Sequence, residues 1–211
     1  IKAIRVPRDL RLSISTIFQG RVKTIDVGSV RISLAHGDGN QNDSADSFFV
    51  NGLGIGFDAA VAERTLHISY ASGSLLYLIA VLQTLGRYTS PEFTFSVDGK
   101  KTTSRNLLIA VGNGVCAGGG FYLTPEARVD DGLLDICFID DISTLGILRV
   151  MPSVMKGKHR THSCVRFEKG QEITMSASKP FSVHTDGEIL GTHVTGLRIN
   201  VVPNAMSVIV G

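Results

Sequence analysis

From Pro91 to the end, the chain is written almost entirely in short strand-like segments, and this constrains its fold more than any other feature. Phe93, Phe95 and Val97 alternate with Thr94 and Ser96, the period-two pattern of a strand with one buried face. Asp98-Gly99 then reads as a hairpin turn. Further strand signals cover Asn106 to Val111, Leu133 to Ile139, Cys164 to Phe167, Glu172 to Ala177, Phe181 to Thr185, Val194 to Val202 and Ser207 to Val210. Nearer the N-terminus, Val22 to Ile32 reads as strand, turn and strand about Gly28, and Phe48 to Phe57 as a strand interrupted by glycines. Helical spacing is confined to residues 7–20, Ala59 to Leu66, Gly73 to Arg87 and Thr144 to Lys156, where Pro152 predicts a break or kink. The expected class is mainly β (α+β): an antiparallel β-sandwich with inserted helices, in one domain over residues 1–211.

Composition narrows the functions open to such a domain. An apolar fraction of 43% can fill a sizeable core, while a net charge of +2 with no long basic block argues against a nucleic-acid partner. Cys116, Cys137 and Cys164 are widely spaced and contain no C-x-x-C pair, which points to reduced thiols in a cytoplasmic protein. The longest apolar stretch, Leu75 to Leu85, is too short to span a bilayer. A start at Ile1 rather than Met reads as a fragment or a processed chain.

Asp186-Gly187-Glu188 is the most chemically suggestive triplet. On extended backbone its two carboxylates would share one face, where they could bind a metal or hold a shifted pKa. Asp-Gly is also a strong turn signal, and Asp38-Gly39, Asp98-Gly99 and Asp131-Gly132 repeat it, so composition does not choose between site and turn. The loop from Asp38 lacks the glycine and bidentate Glu of a calcium loop, and Gly37-Asp38-Gly39 lacks a following phosphate-cradling helix. Gly112-Asn113-Gly114 and Gly118-Gly119-Gly120 fit neither a Walker loop nor a Rossmann fingerprint; they read as a flexible loop or the lining of a ligand cleft. His159 and His162, among Lys156, Lys158 and Arg160, read as a basic surface loop able to face anionic headgroups. His184 stands two residues before Asp186 and carries only a weak signal.

Three segments together resemble the bacterial diacylglycerol kinase and lipid kinase family, related to sphingosine and ceramide kinases: VNGLGIGFDAAVAE (50–63), LLIAVGNGVCAGGGFYLTPEARVDDGLLDICFID (107–140) and VHTDGEIL (183–190). The resemblance implies the C-terminal domain of the NAD kinase/diacylglycerol kinase-like fold, with residues 1–20 as an interdomain segment. It also implies a separate N-terminal nucleotide-binding domain, absent from this chain. The activity so implied is transfer of the ATP γ-phosphate to a lipid hydroxyl with Mg²⁺, by a cytoplasmic enzyme peripherally associated with membrane, and the fragment alone would be inactive. By the same resemblance Asp186 is the general base and Glu188 lies near the nucleotide or its Mg²⁺. Asp58 would orient the acceptor headgroup, although it equally reads as a helix cap. Asp131, with the carbonyls of Arg128 and Leu133, resembles a structural Mg²⁺ site, although a plain turn explains the same residues. Two alternatives stand beside this reading: a non-catalytic lipid-binding β-domain and an NAD-kinase-like enzyme. The lipid and the oligomeric state are left open, a homo-oligomer included.

Overall fold

A computed structural model describes residues 9–35, 41–43, 45–71, 73–85, 88–117 and 120–210. Gly37-Asp38-Gly39 lies outside them. The chain runs α1 (Leu10–Gln19), β1 (Arg21–Ala35), β2 (Gln41–Asp43), β3 (Ser47–Phe49), β4 (Gly52–Gly56), α2 (Phe57–Thr65) and α3 (Gly73–Leu85). It continues with β5 (Glu92–Val97), β6 (Lys100–Gly112), β7 (Leu134–Asp140), α4 (Thr144–Met155), β8 (Val165–Gly170), β9 (Glu172–Thr185) and β10 (Glu188–Val210). All strand pairs are antiparallel, in the order β2-β1-β10-β9-β4-β6-β7-β8, with β5 bridging β6 and β9 and β3 pairing with β1.

The sheet closes over one core. Val30 and Ile32 from β1 belong to the same buried cluster as Leu134, Ile136 and Phe138 from β7, near the other end of the strand order. Phe95 stacks on Phe138 at 4.6 Å and Phe93 meets Phe181 edge-on, so aromatic pairs fix the two walls against each other. β7 and the second half of β6, Asn106 to Gly112, are buried on both faces, which is why Asn106 to Val111 reads as a continuous apolar run. Ile109 and Val111 face the interior, whereas Leu108 and Ala110 face a second cluster built with Phe57, Val61, Ile147, Val150 and Val154 from α2 and α4.

Several segments expected to be separate are continuous. Gly28 is not a turn; it lies within β1, opposite Phe49, and a Cβ there would come 2.1 Å from the Phe49 ring. The expected break near Val202 to Ser207 is a bulge in β10, where Pro203, Asn204 and Ala205 stand opposite the single residue Asp26. In β9, Pro180 falls where the pairing partner changes from β5 to β4. Pro152 sits on the exposed side of α4 and leaves that helix unbroken, because Ile147, Val150 and Val154 anchor the opposite face.

Candidate functional site

Asp186-Gly187 is a two-residue hairpin turn between β9 and β10. Both residues have positive φ (50° and 98°), and Thr185 pairs with Glu188. Asp98-Gly99 is built the same way between β5 and β6, with φ of 47° and 86°. The extended backbone that would set Asp186 and Glu188 on one face is therefore absent. What separates the two turns is the reach of the aspartate. Asp98 Oδ1 accepts from the N–H groups of Gln171 and Glu172. Asp186 instead reaches across the fold to the start of β4: Oδ1 accepts from Asn51 N–H (3.0 Å) and Gly52 N–H (2.8 Å), and Oδ2 from Val50 N–H (2.8 Å). The backbone N–H of Asp186 donates to Gly52 O, locking turn and loop together.

That loop is the first link of a polar belt. Asn51 O accepts from the N–H groups of Asn113 and Gly114, and the buried Asn113 amide donates to the carbonyls of Val50 and Asp26. Asp26, only 2% exposed, accepts from Asn204 N–H on Oδ1 and Gly132 N–H on Oδ2. The Asp186 turn, the Asn-Gly loop, the Gly-Asn-Gly segment and the Asp131-Gly132 turn are thus stitched together by hydrogen bonds. Asp26 carries no sequence signal, since a lone acidic residue between Ile25 and Val27 reads as a solvent-facing strand position.

Asp58 lies in the first turn of α2 and is buried, as is His184 near the end of β9. His184 Nε2 lies 2.8 Å from Asp58 Oδ2. Gly54 makes room for them: a Cβ there would come 2.3 Å from His184 Nε2 and 2.5 Å from Asp58 Oδ2. The helix-cap role falls to Gly56, not Asp58. Burial opposes charge on His184, but the hydrogen bond and attraction of Asp58, with Asp186 adding to them, raise its pKa above the ordinary imidazole value. A raised folded pKa stabilises fully below the unfolded value of 6.5 and is lost as pH climbs through the folded one. Melting curves should therefore show the advantage of wild type over His184→Gln shrinking across a pH window that opens at the unfolded value of 6.5 and runs upward from it. A constant difference across that window would mean that His184 does not titrate with folding.

Asp58 stands where two cavities meet. One, of about 70 Å³, is walled by Phe57, Leu107, Leu108, Phe121, Ile139, Val150 and other apolar residues, with Asp58 as its charged lining residue. The other is a narrow cleft of about 20 Å³ lined by Asn51, Gly52, Gly54, Gly112, Gly114 and His184, and it too has Asp58 in its wall. The glycine-rich segment thus lines a cleft through Gly112 and Gly114, while Gly118 and Gly119 lie outside the described residues.

The remaining expected residues fall elsewhere. Glu188 is exposed at the start of β10. Asp131 Oδ1 accepts from Leu133 N–H at 3.3 Å, and the Lys169 ammonium lies 3.8 Å from Oδ2 and 3.0 Å from the buried Asp135. Burial raises the Asp135 pKa, with Lys169 opposing it. Among the described residues no three His, Cys, Asp or Glu side chains gather as a metal cage. His159 is not part of a surface loop: it is fully buried, with Nε2 3.2 Å from Leu123 O and 3.6 Å from Cys137 Sγ. Burial lowers its pKa and pushes the Cys137 thiol up to about 12, so both are inert core groups.

The described residues thus form a β-sandwich whose turns converge on one polar belt beside an apolar cavity. The sequence profile described as the YegS C-terminal NAD kinase beta sandwich-like domain matches residues 52–210, and the chain belongs to that family. It is 27% identical over 194 residues to a diacylglycerol kinase of Mycobacterium tuberculosis, covering 92% of this chain and 59% of that protein. It is 30% identical over 165 residues to a YegS-like lipid kinase of Pseudomonas aeruginosa, covering 76% and 52% respectively. The crystal structure of a Bacillus anthracis diacylglycerol kinase superposes over 100% of this chain and 62% of that one, with a TM-score of 0.63 and 17% identity, a likeness of fold. The chain thus spans somewhat over half the length of the curated relatives it matches.

Proposed function

We propose that this chain is the acceptor-side domain of an ATP-dependent lipid kinase that phosphorylates a hydroxyl of a diacylglycerol-like lipid. The observation that carries the reading is the apolar cavity with Asp58 in its wall, adjoining the cleft beside the Asp186 loop. The cavity takes part of an acyl chain, and Asp58 turns the hydroxyl toward the cleft. Asp186 then accepts the hydroxyl proton as that oxygen attacks the γ-phosphorus and the bond to the ADP oxygen breaks. A carboxylate has about four lone-pair sites. Three take the loop N–H groups, and a remaining site on Oδ2 takes the proton. Glu188, at the exposed end of the same hairpin, faces the nucleotide or its Mg²⁺. Bound magnesium supplies charge neutralisation at the phosphates, and Asp131 with the Arg128 and Leu133 carbonyls would hold a second, structural ion.

ATP is held mainly by a separate N-terminal nucleotide-binding domain, and the present chain alone is inactive. Calorimetry of the 211-residue chain with Mg-ATP should give no low-micromolar binding; such binding would refute that division of labour. The deciding assay is the whole kinase with ATP and Mg²⁺ against diacylglycerol, phosphatidylglycerol, a sphingoid base and NAD. Phosphorylation of NAD alone would make the protein an NAD-kinase-like enzyme. Lipid binding without phosphorylation would make it a non-catalytic lipid-binding domain.

Membrane contact is assigned to α4. No helix among the described residues is long and apolar enough to cross a bilayer. The inner face of α4 lines the apolar cavity through Ile147, Val150, Met151 and Val154, while Leu145, Leu148 and Met155 are exposed. Exposed Lys156 and Lys158 follow directly, each worth roughly 1 kcal/mol near an anionic surface. Flotation with vesicles containing phosphatidylglycerol should show salt-sensitive binding that Leu145→Glu with Leu148→Glu abolishes. Equal flotation of wild type and variant would place the contact elsewhere.

A further inference from the structure

We propose that His184 is a positioning residue for the acceptor, holding the Asp58 carboxylate at the junction of the two cavities; this rests on the lipid-kinase reading above. Asp58 lines the apolar cavity from the first turn of α2, whereas His184 meets Asp58 from β9, the strand that leads into the Asp186 turn. The 2.8 Å contact between them therefore ties the acceptor-facing carboxylate to the strand that carries the proposed base. The pair is sheltered. His184 is 7% exposed and Asp58 8%, and the facing strand β4 contributes only Gly54, whose missing side chain leaves the required space.

The ring has one bonding edge. Among the described residues Nδ1 of His184 is buried without a hydrogen-bond partner, and Nε2–H donates to Asp58. A hydrogen bond to a carboxylate is short and directional, so this contact fixes where the bonded Asp58 oxygen points. With His184 in place one oxygen of Asp58 is held in a fixed direction, and the carboxylate can receive the hydrogen bond of a lipid hydroxyl. In the reading above ATP is held by the separate domain and Asp186 takes the proton, which leaves this pair the acceptor alone. Loss of His184 should accordingly weaken acceptor binding while sparing ATP binding and the chemical step.

The test compares His184→Asn, whose amide is too short to reach Asp58, with His184→Gln, whose amide can. Both are made in the whole kinase and assayed with dioctanoylglycerol, varying lipid and ATP separately. For His184→Asn the expected result is a lipid KM raised about tenfold or more, for a lost charge-assisted hydrogen bond. The ATP KM should be unchanged and kcat should stay within about threefold, with His184→Gln recovering most of the lipid KM. Should His184→Asn fail to fold, judged by its melting curve, the His184→Gln lipid KM decides at saturating ATP, and a value more than about tenfold above wild type overturns the proposal. A fall in kcat with unchanged lipid KM, or a parallel rise in the ATP KM, also overturns it. A wild-type enzyme that phosphorylates no lipid would instead sink the underlying functional reading, leaving the two failures distinct.

Discussion

Asp186→Asn in the whole kinase is expected to lower turnover by about 10²–10⁴-fold, the usual worth of general-base assistance. The structure adds a stability effect that the chemistry alone would not suggest. The remaining amide oxygen still accepts from Asn51 and Gly52, but the nitrogen that replaces Oδ2 faces the N–H of Val50, donor against donor. Loss of that bond should cost about 1–3 kcal/mol and a few degrees of melting temperature. Asp98→Asn is the matched control. Asn-Gly serves the same type of turn, and both N–H groups received by Asp98 lie on one oxygen, so turnover and melting temperature should stay close to wild type. The contrast separates base from brace. If Asp186→Asn melts a few degrees lower yet keeps near-normal turnover at a temperature where it is folded, Asp186 only ties a turn to a loop, and its catalytic assignment is wrong.

The larger stability effect is expected at Asp26. Asp26→Ala leaves the N–H groups of Gly132 and Asn204 without their acceptor beneath the bulge of β10. Both bonds are part-buried, and at about 1–3 kcal/mol for each N–H left without its acceptor the loss should be at most about 2–6 kcal/mol, or roughly 10 °C in melting temperature. Asp26→Asn keeps one acceptor oxygen and should fall between. Because Asn113 holds the Asp26 carbonyl and the Val50 carbonyl together, the disturbance should spread to the Asp186 loop. Amide exchange read at Asn51 and Gly52 would report it. Unchanged exchange there, with a melting temperature within about 2 °C of wild type, would show that the belt is not mechanically continuous.

Local chemistry was readable without coordinates. The alternation of Phe93, Phe95 and Val97, the hairpin at Asp98-Gly99 and the helices after Gly56 and Gly73 depend on neighbours within a few residues. So does the mainly β class, because period two and Asp-Gly turns recur along the second half of the chain. The roles proposed for Asp58 and Asp186 come from the order and spacing of three segments, a resemblance rather than a physical derivation. Strand continuity was not legible: Pro180 and Pro203 look like terminators, and only their partners across the sheet show that one marks a change of partner and the other a bulge. Nor could the sequence tell one Asp-Gly pair from another, since Asp98 and Asp186 form the same local turn. Their difference lies in which backbone N–H groups await each carboxylate, about 73 residues away for Asp98 and about 135 for Asp186. Asp26, His159 and the His184–Asp58 pair escaped for the same reason. Burial and hydrogen-bond partnership are set by chain segments far apart in sequence, and an isolated polar residue carries no local trace of them.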